Sequence, residues 1–269
     1  MITQNQRAIF QERGLIRLDD FLPAEKVTHG RDVLLHALEQ KGIWAEGIWH
    51  LDRLEPSTSV MAGSELVKGI KKSNAFRDLM TPKLGDAITE LVDGRAVFPM
   101  MDRPQLMFTL PNAVRWTVPH NIWHLDMPRL PECGIPGVQV FTFLDRVEQG
   151  GGGTLVVAGS HRLLNTGEHI RSKHVKRRLK REPYFRDLMS KHALDRVRFM
   201  KEPGSVGDVE LQVVELEGRP GDVYLVDMRM LHTLAPNASS VPRMMLTQRF
   251  LLEACREAIY GQSDDPDHE

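Results

Sequence analysis

Between Gly14 and Phe21 apolar and polar positions alternate as they do along a short strand. Pro23 then sets the first turn of a helix that carries Val27, Val33, Leu34 and Leu38 toward a core before Gly42 closes it. From Arg95 onward the texture changes. The apolar runs become short, as in RAVFPM, QLMFTL, VQVFTFLDRV, GTLVVAG, LQVVEL, DVYLVDM and RMMLTQRFLL, with Gly, Pro and Asn between them. Many short strands predict a mainly β fold with flanking helices, and two packed sheets in a jelly roll fit best.

The region from His161 to about Met200 departs from this texture, being charged and helix-like, with RSKHVKRRLKRE near its middle. It reads as a helical insertion into the β framework. A run of this kind ordinarily forms a solvated helix face. The sharper reading makes it a lid whose Lys and Arg side chains attract an anionic substrate group such as a carboxylate or phosphate. The last residues, SDDPDHE at 263–269, read as a frayed, flexible acidic tail. No internal repeat or low-complexity linker divides the chain, so residues 1–269 are expected to form a single domain.

Composition narrows the partners. The 35 basic and 36 acidic residues nearly cancel, so there is no global field of the kind that drives nucleic-acid or anionic-membrane binding. No apolar run is long enough to span a bilayer, and MITQNQRAIFQERGL lacks the apolar core of a signal peptide. The expectation is a soluble, cytoplasmic protein with a small-molecule partner and no nucleic-acid or membrane partner; the oligomeric state stays open. Cys133 and Cys255 are too few for a disulfide framework or a cysteine-ligated zinc site, which suits a reducing compartment.

The candidate chemistry lies in IWHLDMP. Strand alternation there would turn His124 and Asp126, two residues apart, to one face. His232 stands farther on, where the β segment DVYLVDM runs into RMLHTLAPN. Two imidazoles and one carboxylate make a facial triad, which leaves a non-haem iron(II) oxygenase room for co-substrate and dioxygen. A His-x-Asp pair alone is a weak signal. Arg243 strengthens it: it follows His232 by eleven positions and opens the apolar strand RMMLTQRF. An Arg that points into an apolar barrel needs an anionic partner, and its guanidinium grips a carboxylate in a bidentate fork. The far carboxylate of 2-oxoglutarate would suit it. Two rival classes are a zinc hydrolase, which has no requirement for Arg243, and a non-catalytic jelly-roll binding module, which leaves the coincidence of ligands and Arg unexplained.

Taken together, WHLD, then FLDRVEQGGGGTLVVAGSH, then LHTLAPNASSVPR resemble the phytanoyl-CoA dioxygenase family of iron(II)- and 2-oxoglutarate-dependent oxygenases in both order and spacing. The N-terminal strand ending in Asp-Phe-Leu before Pro-Ala-Glu-Lys is similar too, so the resemblance covers nearly the whole chain, with weaker support between about Gly42 and Arg95. It implies a double-stranded β-helix, cupin-like, with His124, Asp126 and His232 as catalytic iron ligands and Arg243 as the 2-oxoglutarate anchor. Gln105 and Thr109, on the strand ahead of the metal motif, become further co-substrate candidates. Three positions depart from the family pattern. Thr109 stands where many members have Lys before Pro, Leu234 replaces a small hydroxyl residue, and Ala158 replaces the Pro of Pro-Gly-Ser-His.

The reaction so implied consumes dioxygen and 2-oxoglutarate, releases succinate and carbon dioxide, and by default hydroxylates an unactivated C–H bond of a small metabolite. Desaturation, cyclisation and epoxidation stay open, because they differ in substrate placement and not in ligand identity. Asp126 argues against halogenation, for related halogenases replace that carboxylate with a small residue. Arg115, Trp116, Trp123 and Arg129, which flank the metal motif, are the candidate substrate contacts; for the Trp pair core packing is the ordinary reading. His161, in the Gly-Ser-His stretch, is expected to tie down backbone and not to bind metal.

Overall fold

The computed structural model describes residues 2–59, 61–131, 134–164 and 170–260. Helix α1 (Gln4–Arg13) is capped by Thr3, whose hydroxyl accepts from the Gln6 amide, and ends at Gly14 in the left-handed conformation that a glycine adopts without strain. Strand β1 (Leu15–Leu18) and helix α2 (Ala24–Glu39) follow. Of the predicted stripe on α2, Val27, Leu34 and Leu38 are buried; Val33 is half-buried and Leu35 takes its place, because the stripe is centred one position later than the pattern suggested. A two-residue hairpin, β2 (Trp44–Ala45) and β3 (Ile48–Trp49), and helices α3 (Asn74–Arg77) and α4 (Pro82–Leu91) fill the stretch up to Arg95.

The β framework comprises β4 (Val97–Pro99), β5 (Gln105–Thr109), β6 (Arg129–Leu130), β7 (Gly137–Phe143) and β8 (Leu155–Ala158). The stretch after β8 supplies α5 (Ser160–Leu163), β9 (Ile170–Arg171), α6 (Ser172–Leu179), α7 (Pro183–Leu188) and α8 (Arg198–Lys201), with 165–169 outside the described residues. The chain completes the sheets with β10 (Gly204–Val206), β11 (Val209–Glu215), β12 (Val223–Asp227), β13 (His232–Thr233) and β14 (Arg243–Leu252), then adds α9 (Arg256–Tyr260). Cys133 and the acidic tail fall outside the described residues.

All seven predicted runs are strands, and they assemble into two antiparallel sheets. The larger has the order β1-β12-β7-β14-β4, with β5 also on β14; the smaller has the order β10-β11-β8-β13. Strand β14 is the spine, pairing along one edge with β7 and along the other with β5 and then β4. Alternate residues of the large sheet serve different cores. Ile16, Val140, Leu225 and Leu246 belong to the core shared with the helices, whereas Leu15, Phe141, Tyr224 and Met245 meet Val156 and Ala158 of the small sheet. Burial on both faces explains why these strands read as nearly continuous apolar runs. The arrangement is a double-stranded β-helix.

One turn of this framework tolerates only glycine. Gly159, between β8 and α5, has φ +86°, and a Cβ there would stand 2.1 Å from the Glu210 carbonyl oxygen of β11. Gly159→Ala should therefore lower unfolding free energy by about 2–4 kcal/mol, combining left-handed strain with a backbone clash. Urea denaturation checks this, and an unchanged midpoint would contradict the turn geometry.

Candidate metal centre

His124 and His232, 108 positions apart in the chain, are neighbours through their own backbones. The His124 amide donates to the His232 carbonyl at 2.9 Å and the His232 amide returns the bond at 3.1 Å. Residues that exchange both bonds sit directly opposite on an antiparallel ladder, so their side chains leave the same face. The imidazole centroids are 4.4 Å apart. His232 lies in β13, held on its other side by Val156 of β8. His124 belongs to an isolated bridge and not to the strand that alternation predicted, because the surrounding 121–128 segment is irregular.

Both rings are oriented by the same local device. Nδ1 of His124 meets the Ile122 carbonyl at 2.8 Å, and Nδ1 of His232 meets the Met230 carbonyl at 3.1 Å. A carbonyl oxygen only accepts, so each Nδ1 carries a proton and each Nε2 is turned toward Asp126. Those Nε2 atoms stand 3.3 Å from Asp126, His124 facing Oδ1 and His232 facing Oδ2. One ligand atom from each of the three residues falls within 4.8 Å of the others. Ile122 achieves its carbonyl direction at φ +51°, a strained conformation for a β-branched residue.

Asp126 is restrained by two side chains the sequence reading did not single out. Arg249 Nε donates to Oδ2 at 2.8 Å, its Nη2 donates to the same oxygen, and Gln139 Nε2 donates to it at 2.7 Å. Burial by itself would raise the Asp126 pKa, but the hydrogen bonds with His124 and His232 and the positive charge of Arg249 outweigh it and hold the carboxyl well below the usual range. A signal for both residues was present: Arg249 shares the inward face of β14 with Arg243 at even spacing, and Gln139 is a buried polar residue inside the apolar run of β7. Gln105 does not reach Asp126; its Oε1 accepts from Arg249 Nη1 at 3.3 Å.

Arg243 opens β14 and is 3% exposed. Its Nη1 donates to the Gly152 carbonyl and its Nη2 to the Thr109 hydroxyl at 2.7 Å, while Nε has no acceptor among the described residues. Burial lowers its pKa to about 10, and the negative charge of Glu215 draws it partly back. Glu215 sits beneath the glycine-rich turn, its carboxylate accepting from the Gly150 and Gly153 amides at 2.8 and 2.9 Å. Burial raises it to about 7. A guanidinium buried against a carbonyl and a hydroxyl, with one N–H unsatisfied, is suited to an incoming carboxylate.

The flanking candidates disperse. Trp123 is fully buried, its indole donating to the Pro119 carbonyl at 3.0 Å, and Trp116 is half-buried against the core. Arg115 is exposed, and Arg129 lies in β6 beside β9. His161 is buried, with Nε2 on the Gln11 carbonyl, and Ser160 accepts from the Leu231 amide, so the Gly-Ser-His stretch ties α1 and the approach to β13 together. A residue from the insertion completes the frame. Arg196 donates to the carbonyls of Val118, Pro119, Leu188 and Ser190, fastening the segment before His124 to the insertion.

A double-stranded β-helix with two histidines and an aspartate converging on one point, and a buried arginine opening an inner strand, is the frame of the iron- and 2-oxoglutarate-dependent non-haem oxygenases. Residues 10–245 match the model of the phytanoyl-CoA dioxygenase family (PhyH), and the chain belongs to that family. No curated protein sequence matches it. Among solved structures it is similar to AviO1 from Streptomyces viridochromogenes, with TM-score 0.56 and 17% identity over 94% of this chain and 97% of that one. It is also similar to the alpha-ketoglutarate-dependent carbocyclase SnoK from nogalamycin biosynthesis (TM-score 0.53, 18% identity, 93% and 83% covered). A third likeness is to the epimerase SnoN in complex with Fe3+, alpha ketoglutarate and nogalamycin RO (TM-score 0.53, 14% identity, 99% and 93% covered). At these identities the likeness is one of fold. No helix among the described residues is long and apolar enough to cross a membrane.

Proposed function

We propose that the chain hydroxylates an unactivated C–H bond of a small metabolite, acting as one oxygenase domain in the cytoplasm. His124, Asp126 and His232 would hold iron(II), and Arg243, helped by Thr109, would hold the distal carboxylate of 2-oxoglutarate. The observation that carries this reading is the pairing of three converged ligands with a buried guanidinium whose hydrogen-bond partners are all neutral. When bound, iron(II) and 2-oxoglutarate supply the oxidising power by reducing dioxygen, with succinate and carbon dioxide as co-products.

The protein's own residues do the rest. The carbonyls of Ile122 and Met230 keep each imidazole presenting Nε2. Arg249 and Gln139 keep Asp126 ionised and aimed. Thr109 and Gly152 fix the plane of the Arg243 guanidinium, so the co-substrate's far end has one direction of approach. Gln105 acts one contact farther away, by steadying Arg249.

Anaerobic addition of iron(II) and 2-oxoglutarate should produce a metal-to-ligand charge-transfer absorption, and oxygen should then yield succinate. Absence of 2-oxoglutarate binding, or tighter function with zinc and no 2-oxoglutarate, would overturn the assignment. Product mass tests the reaction: hydroxylation adds one oxygen atom, whereas desaturation or cyclisation adds none. Relatives of the same fold include a carbocyclase and an epimerase by their own descriptions, which makes that measurement the informative one.

A further inference from the structure

The basic run of the insertion is exposed, and three of its cations also line a surface cavity. Helix α6 places Lys176, Arg177 and the following Lys180 on the wall of a cavity of about 520 Å³. The facing wall is His120, Asn121 and Ile122, followed by Trp123. Ile122 is the residue whose carbonyl holds His124, so the cavity wall and a metal ligand are two residues apart, at most about 7 Å between Cα atoms.

The charge there is unbalanced. No acidic residue lines the cavity, and among the described residues none of the three cations has an ion-pair partner. Lys176 and Lys180 are one turn apart, a spacing at which like charges repel, and Arg177 adds a third charge beside them. Buried Val175 and Leu179 fix the opposite face of α6 to the core, so the helix cannot rotate the cations away. Arg196 ties the same insertion to Val118 and Pro119, which keeps the two walls in register. An anion between them would relieve the repulsion and add charge-assisted hydrogen bonds from three donors, with the Asn121 amide as a neutral fourth.

We propose that this cavity is an oxyanion subsite of the substrate pocket, taking a phosphate or sulfate ester carried by the metabolite that is oxidised. The proposal rests on the oxygenase reading, since it places the ester on α6 while the reacting carbon faces the triad. It assigns Lys176, Arg177 and Lys180 to substrate selection and leaves the 2-oxoglutarate contacts untouched.

Inorganic phosphate and sulfate, titrated separately by calorimetry into the full chain with 2-oxoglutarate present, supply the test. Saturable uptake of one or both is expected, and the stronger identifies the ester. The triple variant Lys176→Gln, Arg177→Gln, Lys180→Gln should weaken it about tenfold or more, while Lys41→Gln, exposed in the turn after α2, should leave it unchanged. Lys180→Gln alone should weaken it about threefold, which keeps the test valid if the triple variant folds poorly. No saturable uptake, or uptake undiminished in both α6 variants, would overturn the subsite. The charge-transfer absorption with iron(II) and 2-oxoglutarate separates the two ideas: its absence in the wild type sinks the oxygenase reading, whereas its presence without anion uptake sinks the subsite alone.

Discussion

Methionine in place of Arg243 is expected to leave a folded protein that binds iron(II) but holds 2-oxoglutarate roughly 30-fold to several-thousand-fold more weakly, the cost of about 2–5 kcal/mol for truncating one partner of a buried charge pair. The folded state should not suffer in proportion. Arg243 is buried against a carbonyl and a hydroxyl, with its Nε lacking an acceptor among the described residues, so an apolar chain of similar length removes a costly charge along with two hydrogen bonds. The expected signature is an unchanged or raised thermal midpoint without co-substrate, together with a lost stabilisation by added 2-oxoglutarate. Lysine should not restore the wild type, because one ammonium cannot meet Gly152, Thr109 and a carboxylate in the plane a guanidinium offers. Anaerobic titration followed by the charge-transfer band measures the affinity directly. A dissociation constant within threefold of wild type would remove Arg243 from the co-substrate site.

Asp126→Ala should abolish turnover and, unlike the Arg243 change, also destabilise the fold. The alanine deletes a metal ligand, and it strands Arg249, which is 13% exposed at its side chain and directs two N–H groups at the lost carboxylate. The stranded cation should cost about 1–3 kcal/mol, discounted from a fully buried pair because some solvent reaches it. Adding Arg249→Met to Asp126→Ala should recover most of that stability and none of the activity. Urea unfolding of the four-member cycle reads the coupling, and succinate formation reads the chemistry. If the double variant were no more stable than Asp126→Ala, Arg249 would have a role unrelated to Asp126.

The two experiments bear on different parts of what the sequence made legible. The strands could be read because each inner strand contributes to apolar cores on both faces, which leaves long runs of Val, Phe, Leu and Met. The three candidate ligands could be read from type and order, yet the geometry that brings them together could not. Alternation along a strand was the expected reason for His124 and Asp126 to converge, whereas the structure joins His124 to His232 by a single ladder rung and sets Asp126 in an irregular turn. Such a rung links positions 108 residues apart and leaves no local pattern. Arg249 was readable in principle, since even spacing from Arg243 puts it on the same inward face of β14. Between Gly42 and Arg95 short turns and small helices dominate, and only α4 carries a readable helical period, in buried Leu84, Ala87, Ile88 and Leu91.

Arg196 makes the insertion part of the framework that leads to the metal centre. Its guanidinium serves two carbonyls of the insertion, Leu188 and Ser190, and two of the segment that leads to the metal, Val118 and Pro119. Cutting out the helical stretch and grafting in another would strand those oxygens on both sides of the seam. The helices of the insertion are therefore not an interchangeable cassette: single side-chain changes on α6 leave this seam intact, whereas exchanging the insertion whole breaks it.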